Sequence, residues 1–250
     1  MGNIIAIAGK GGTGKTTIAG FLVRYLVEKS IIPVLAVDAD PNANLNEVLG
    51  IEISATIGEA REGLKKEVPA GMSRDTYMEY KIQQSVVEEK GFDFIVMGRP
   101  EGPGCYCHAN TLLSKHIGIL AENYKAIVMD NEAGMEHISR LVAKNPDILL
   151  LVSDPTFRGI QAAQRLFHLS KEIALNAKKT WLIVNRVRKG ISIAVEQAIT
   201  ESGIELAGYI PEDEEIIERD SERRPTSLIS QNSKAVCAMR GIFDKILMAL

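Results

Sequence analysis

The apolar run Ile4–Ala8 opens directly into Gly9-Lys10-Gly11-Gly12-Thr13-Gly14-Lys15-Thr16-Thr17, and a stretch with helical spacing follows. Strand, glycine-rich loop and helix in that order make a phosphate loop. Gly9, Gly11, Gly12 and Gly14 let backbone N–H groups turn inward around phosphate oxygens, Thr13 and Thr17 complete the cradle, and the helix adds its positive end. Lys15 is placed to reach the β- and γ-phosphates and the Thr16 hydroxyl to ligate Mg²⁺. Lys10 is a second cation in the first half of the loop, suited to charge that develops at the γ-phosphate.

Carboxylates stand at the ends of two further apolar runs. Val34–Asp38 leads into Asp38-Ala39-Asp40-Pro41-Asn42, and Ala126–Asp130 leads into Asp130-Asn131-Glu132-Ala133-Gly134. Such strings in isolation are turns and caps more often than sites. Beside a phosphate cradle they fit a hydrolytic centre. Asp40 is expected to orient the attacking water, with Asp38 close to the Mg²⁺ shell. Asp130 is expected to hold Mg²⁺ through water, and Gly134 to let the backbone approach the γ-phosphate.

A different chemistry follows the run Phe92–Met97, in Gly98-Arg99-Pro100-Glu101-Gly102-Pro103-Gly104-Cys105-Tyr106-Cys107-His108. The glycines and prolines ahead of the cysteines make a non-helical loop that can present thiols at a surface. Cysteines one residue apart make a strained disulfide, but two thiolates can grip one side of a soft or borderline metal ion. Such an ion usually takes four ligands, so Cys105 and Cys107 form half a site, and a two-fold axis through the loop would complete it. His108 and His116 are secondary ligand candidates.

These groups need a scaffold that gathers them at one edge. Short apolar runs at Ile4–Ala8, Val34–Asp38, Phe92–Met97, Ala126–Asp130, Asp147–Val152, Thr180–Asn185 and Glu205–Ile210 read as strands buried on both faces. Helical spacing is found at Lys15–Glu28, Asp75–Lys90, Asn110–Glu122, Met135–Lys144, Thr156–Ala174, Ile193–Ser202 and Lys234–Leu250. The alternation predicts an α/β phosphate-loop fold, a mainly parallel sheet with helices on both faces and ligands at the carboxyl ends of the strands. Residues 1–250 read as a single domain without repeats. In the last helix Val236, Met239, Phe243, Ile246 and Leu250 fall near one face, which packing against the sheet explains; Cys237 reads as core.

Composition excludes several classes. A net charge of −3 argues against nucleic acid as a partner. No apolar run approaches the length of a membrane span, and Met1-Gly2-Asn3 runs straight into a strand, leaving no room for a signal peptide. Ala6 stands where a myristoylation motif wants Ser or Thr. Three cysteines do not make a disulfide framework, and the expected location is the cytoplasm, without stable membrane association.

The two-lysine loop resembles that of the nitrogenase iron protein and the MinD/ParA ATPases. In that class the first lysine crosses a dimer interface to the partner's nucleotide, which for Lys10 implies a nucleotide-sandwich homodimer. Asn185 and the Pro211-Glu212-Asp213 segment resemble the adenine-contacting asparagine and proline-containing loop of the class, and ATP/ADP as the nucleotide rests on that resemblance. Taken together, Gly9–Thr16, the string from Arg99 to Cys107, and Asp130-Asn131-Glu132-Ala133-Gly134-Met135-Glu136-His137 closely resemble the nickel-insertion ATPases. That family matures carbon monoxide dehydrogenase and, in a close branch, acetyl-CoA synthase. The resemblance covers nearly the whole chain. It implies an ATP-dependent homodimer that binds Ni²⁺ (or Zn²⁺) between Cys105 and Cys107 of both protomers and serves a client nickel enzyme. Residues Ala60–Gln84 carry no motif that selects the client.

Two other readings share the cradle. A positioning ATPase of the MinD/ParA kind would need an amphipathic membrane tail or a basic face. An iron–sulfur redox ATPase would use four thiolates at a dimer axis to hold a cluster, although a one-residue spacing favours a pair gripping a single ion.

Overall fold

The central apolar runs pair side by side and are buried on both faces, which only a sheet covered by helices allows. A computed structural model describes residues 2–60, 68–98, 121–133, 145–173 and 175–248. The cysteine loop, His108, His116, Gly134, Leu250, the expected helix Met135–Lys144 and nearly all of Asn110–Glu122 lie outside the described residues.

Among the described residues the strands are β1 (Asn3–Gly9), β2 (Val34–Ala39), β3 (Val87–Glu89), β4 (Phe92–Val96), β5 (Ala126–Asn131), β6 (Ile148–Ser153), β7 (Lys179–Val187) and β8 (Glu205–Pro211). They form one sheet in the order β3-β4-β2-β5-β1-β6-β7-β8. Every pairing is parallel except that of β3 with β4. The helices are α1 (Lys15–Glu28), α2 (Leu45–Leu49), α3 (Arg74–Ser85), α4 (Phe157–Glu172), α5 (Ile193–Ser202), α6 (Glu214–Ser221) and α7 (Lys234–Leu247). β1 lies centrally, with β5, β2 and β4 on one side and β6, β7 and β8 on the other. Its carboxyl end is therefore where a doubly wound sheet binds its ligand.

Alternation along each strand sorts the core. Ile5 and Ile7 of β1 join Val34 and Ala36 of β2 under α1 and α7, in a cluster with Ile18, Leu22, Leu26, Phe243 and Ile246. Ala6 and Ala8 face the opposite side with Ile160, Leu166 and Ile199 of α4 and α5, while Leu35, Val37 and Ala39 meet Met78 and Ile82 of α3. Each fully buried Leu, Ile or Phe contributes about 1.5–3 kcal/mol of transfer free energy. The sheet edge that carries the site is therefore a stiff platform.

Two expectations are corrected here. The helix expected at Asp75–Lys90 stops at Ser85, and Val87–Glu89 pairs antiparallel with β4. The β-branched Val86 and Val87 and the turn at Gly91 (φ 91°) let pairing at the sheet edge prevail over helical spacing. Cys237 is exposed rather than core, its Sγ 3.7 Å from the Gln231 carbonyl oxygen. The buried stripe of α7 is Ala235, Val236, Met239, Ile242, Phe243 and Ile246, and one residue past Val236 the helix has turned outward. The stripe packs on β8 and α1, as expected for Val236, Met239, Phe243 and Ile246. α2 and α6 were not foreseen.

Candidate active site

β1 delivers the chain to its carboxyl edge at Gly9, where a Cβ would stand 2.3 Å from the Val152 carbonyl oxygen of β6, so only glycine fits. The loop then folds on itself. The Thr13 Oγ1 donates to the Lys10 carbonyl at 2.9 Å, and the Lys15 Nζ reaches the same oxygen at 3.5 Å. Lys10 itself is exposed and Lys15 is buried. Gly14 takes a left-handed conformation (φ 92°) at the N-cap of α1. Among the described residues no side chain caps this helix, and no acidic residue occupies its first turn. Its first amides and the positive end of its dipole are thus left for an anion.

The carboxylates converge on this loop. β2 pairs with β5 so that Asp38 lies opposite Asp130. Both are buried. Burial pushes the Asp38 carboxyl up to about 6, against hydrogen bonds from the Leu45 and Asp40 amides at 2.9 and 3.0 Å. Burial also pushes Asp130 up to about 7, with the Asp38 charge adding and the Thr16 hydroxyl and Lys15 opposing. Lys15 is shifted down by its own burial, countered by Asp130 and Asp40. Asp40 turns its Oδ1 to the Asn42 amide at 2.8 Å. The segment after β5 closes on the loop, with Ala133 Cβ 3.7 Å from where a Gly11 Cβ would sit.

The donor set fits a magnesium ion. Among the described residues Asp130 Oδ1 is buried without a hydrogen-bond partner, an arrangement that is costly unless something occupies it. Thr16 with Asp38 and Asp130 would hold Mg²⁺, which when bound supplies charge neutralisation to the β- and γ-phosphates.

The residues expected from the sequence to meet the base fall at the other end of the cradle. A bulge in the β7–β8 pairing, between Val184 and Val187, carries Asn185 and Arg186 out of register. Bulges re-aim side chains in this way. The Asn185 Nδ2 donates to the Thr13 carbonyl at 2.8 Å. Asn185, Pro211 and Asp213 line one cavity of about 290 Å³, together with Gly14, Thr17, Ile216 and Ile217. A second cavity of about 280 Å³, lined by Gly12, Lys15, Thr16, Asn44 and Arg223, shares Gly14, Thr17, Arg186 and Asp220 with the first. The Asp213 carboxylate is committed to local structure: it accepts from the Glu215 and Ala235 amides and from the Ser233 hydroxyl, capping α6 and bracing the start of α7. Burial opposes its ionisation, and those hydrogen bonds outweigh burial and hold its pKa below the usual carboxylate range.

The structure thus gathers Lys10, Lys15, Thr16, Asp38, Asp40 and Asp130 at one end of the cradle and Asn185, Pro211 and Asp213 at the other; Gly134, Cys105 and Cys107 lie outside the described residues. Sequence reasoning missed Arg186, Arg223 and the apolar wall Ile216–Ile217. The last had a readable signal, since Asp213 followed by two glutamates and two isoleucines is a capped amphipathic start.

This fold and this edge define an ATPase of the phosphate-loop class. Residues 4–226 match the CobQ/CobB/MinD/ParA nucleotide binding domain, so the chain belongs to that family. It is 39% identical over 249 residues to an uncharacterised ATP-binding protein of Methanocaldococcus jannaschii, covering 98% of each chain. It is 30% identical over 228 residues to the carbon monoxide dehydrogenase accessory protein CooC of Rhodospirillum rubrum, covering 85% of this chain and 84% of CooC. The cell division ATPase MinD of Pyrococcus furiosus superposes with a TM-score of 0.74 at 24% identity over the full length of both chains.

Proposed function

We propose that this ATPase is a nickel-delivering accessory protein for carbon monoxide dehydrogenase or acetyl-CoA synthase, working as a cytoplasmic homodimer. The observation that carries the reading is the Cys105-Tyr106-Cys107 string and where its loop departs from the sheet. β4 pairs with β2 so that Val96 lies opposite Asp38, and the Met97 amide donates to the Asp38 carbonyl at 2.8 Å. The chain that leads to the cysteines therefore leaves the sheet bonded to the strand end that bears the magnesium carboxylate. The resemblance to the nickel-insertion ATPases and the 30% identity to CooC support the same reading.

The steps follow from groups already described. Asn185 spends its Nδ2 on Thr13, which leaves Oδ1 as an acceptor suited to the exocyclic amine of adenine. The amides of the phosphate loop and Lys15 hold the β- and γ-phosphates, Asp40 orients water, and Lys10 of the partner protomer stabilises the transition state. ATP need only bind the closed dimer more tightly than the open one to draw the two cysteine pairs together. Hydrolysis reopens the dimer and releases the ion to the client. The four-thiolate site assembled on closure is the reason a single chain has only half a ligand set.

The test is metal content and oligomer mass on anaerobically reduced protein loaded with Ni²⁺, with ATP, with ADP and without nucleotide. One nickel per dimer, lost in Cys107→Ser while ATPase activity persists, is the expected result. Hydrolysis with no cysteine-dependent metal would sink the delivery reading and favour the positioning class.

A further inference from the structure

Two of the four non-glycine residues with a left-handed backbone among the described residues are arginines, Arg186 (φ 60°) and Arg223 (φ 54°). Both line the 280 Å³ cavity that contains Lys15 and the first turn of α1. Arg186 sits in the β7 bulge. Arg223 sits just past the end of α6, where its own amide donates to the Asp220 carbonyl and the Arg224 amide to the Arg219 carbonyl. Those two bonds make a Schellman cap, whose left-handed position normally belongs to glycine. A residue that carries a Cβ costs of order 1 kcal/mol there, and strain of this kind gathers at binding sites.

Charge points the same way. Lys15, Arg186, Arg223 and Arg224 line the cavity against the two carboxylates Glu47 and Asp220. Arg224 pairs with Glu222, whereas among the described residues neither Arg186 nor Arg223 has a carboxylate partner. Thr226 lines the same cavity and is buried, its Oγ1 without a hydrogen-bond partner among the described residues. A groove with surplus positive charge, two unpaired guanidinium forks and an orphaned hydroxyl is built for a polyanion.

We propose that Arg186 and Arg223 form an outer clamp on the phosphate chain of the bound nucleotide, closing from the solvent side over the inner cradle of amides and Lys15. The clamp rests on the ATPase assignment and is independent of metal delivery. It makes both arginines positioning residues: they select a nucleoside di- or triphosphate over the nucleoside and hold its phosphates against the loop. Asp220, shared by both cavities, spaces Arg223 from the base pocket through the same capped turn.

The experiment measures dissociation constants for MgATP, MgADP and adenosine by calorimetry at low and high salt on Arg223→Gly, Arg223→Lys and Arg186→Ala. One lost charge-assisted contact corresponds to about tenfold. Arg223→Gly and Arg186→Ala should each weaken MgATP and MgADP by about tenfold and adenosine by less than twofold, with a shallower salt dependence than the parent. Arg223→Lys should recover part of the loss. Glycine relieves the left-handed strain, so Arg223→Gly should melt above the parent without nucleotide, which separates a lost clamp from a damaged fold. An unchanged MgATP affinity, or an equal loss for adenosine, would overturn the clamp.

Discussion

Apart from the five-residue α2, whose N-cap Asn44 makes no side-chain cap bond and whose Leu45 amide donates to Asp38, the amino ends of the helices among the described residues divide into two kinds. α3, α4, α5, α6 and α7 begin at Ser73, Thr156, Ser192, Asp213 and Ser233, and in each the side chain accepts a first-turn amide. α1 begins at a left-handed glycine with no side-chain cap. Five helices satisfy themselves and α1 waits for a ligand. A fold withholds local hydrogen bonding where a substrate must supply it, and the Asp130 carboxylate nearby follows the same logic, buried with one oxygen unpartnered among the described residues.

That contrast can be broken outright at Gly14. Gly14→Ser would give α1 an ordinary cap, but its Cβ would stand 2.3 Å from the Asn185 Nδ2 at a φ of 92°. Strain of about 1–3 kcal/mol together with a blocked amide should lower ATP affinity at least about 100-fold. Titration with ATP checks this, and parental affinity would show that the open helix end is not what binds phosphate.

Asp130→Asn sharpens the comparison by separating stability from activity. The folded carboxyl titrates near 7, above its unfolded range, so its stabilising form is the protonated one and is lost as pH rises through about 7. At pH 8 without Mg²⁺ the variant should melt about 2–4 °C above the parent, with the gain shrinking below pH 6, while Mg²⁺-dependent hydrolysis disappears. Melting curves across pH decide it; a variant less stable than the parent at pH 8 would contradict the buried-charge account. The smallest effect belongs to a self-satisfied helix. Ser192→Ala should cost about 1 kcal/mol through its lost cap, lowering the melting temperature by about 2–4 °C with ATPase activity intact.

Most of this architecture is legible along the chain. Ile4–Ala8 followed by the glycine-rich loop fixes strand, turn and helix because the backbone chemistry of the loop is local. Asp38 and Asp130 end apolar runs, and parallel pairing sets them opposite each other. What escapes is what depends on distant partners. β3 exists only because β4 offers an edge to pair with, and the five residues of α2 are too few for a period to show. Cys237 looks apolar from its sequence neighbours, while helical turning decides its exposure. Arg186 and Arg223 are unreadable because a bulge and a helix cap, neither with a local signature here, set their backbones.

The bond from Asn185 to the Thr13 carbonyl has a consequence for anyone who would retune this enzyme. On the function proposed above, the side chain that meets the purine also braces the carbonyl that shapes the cradle, which ties nucleobase choice to catalytic rate. Swapping the amide to favour another base would loosen the loop at the same stroke. On that proposal an orthogonal nucleotide partner is better sought on the facing wall, at Glu212, Ile216 and Ile217, which line the same cavity as Asn185.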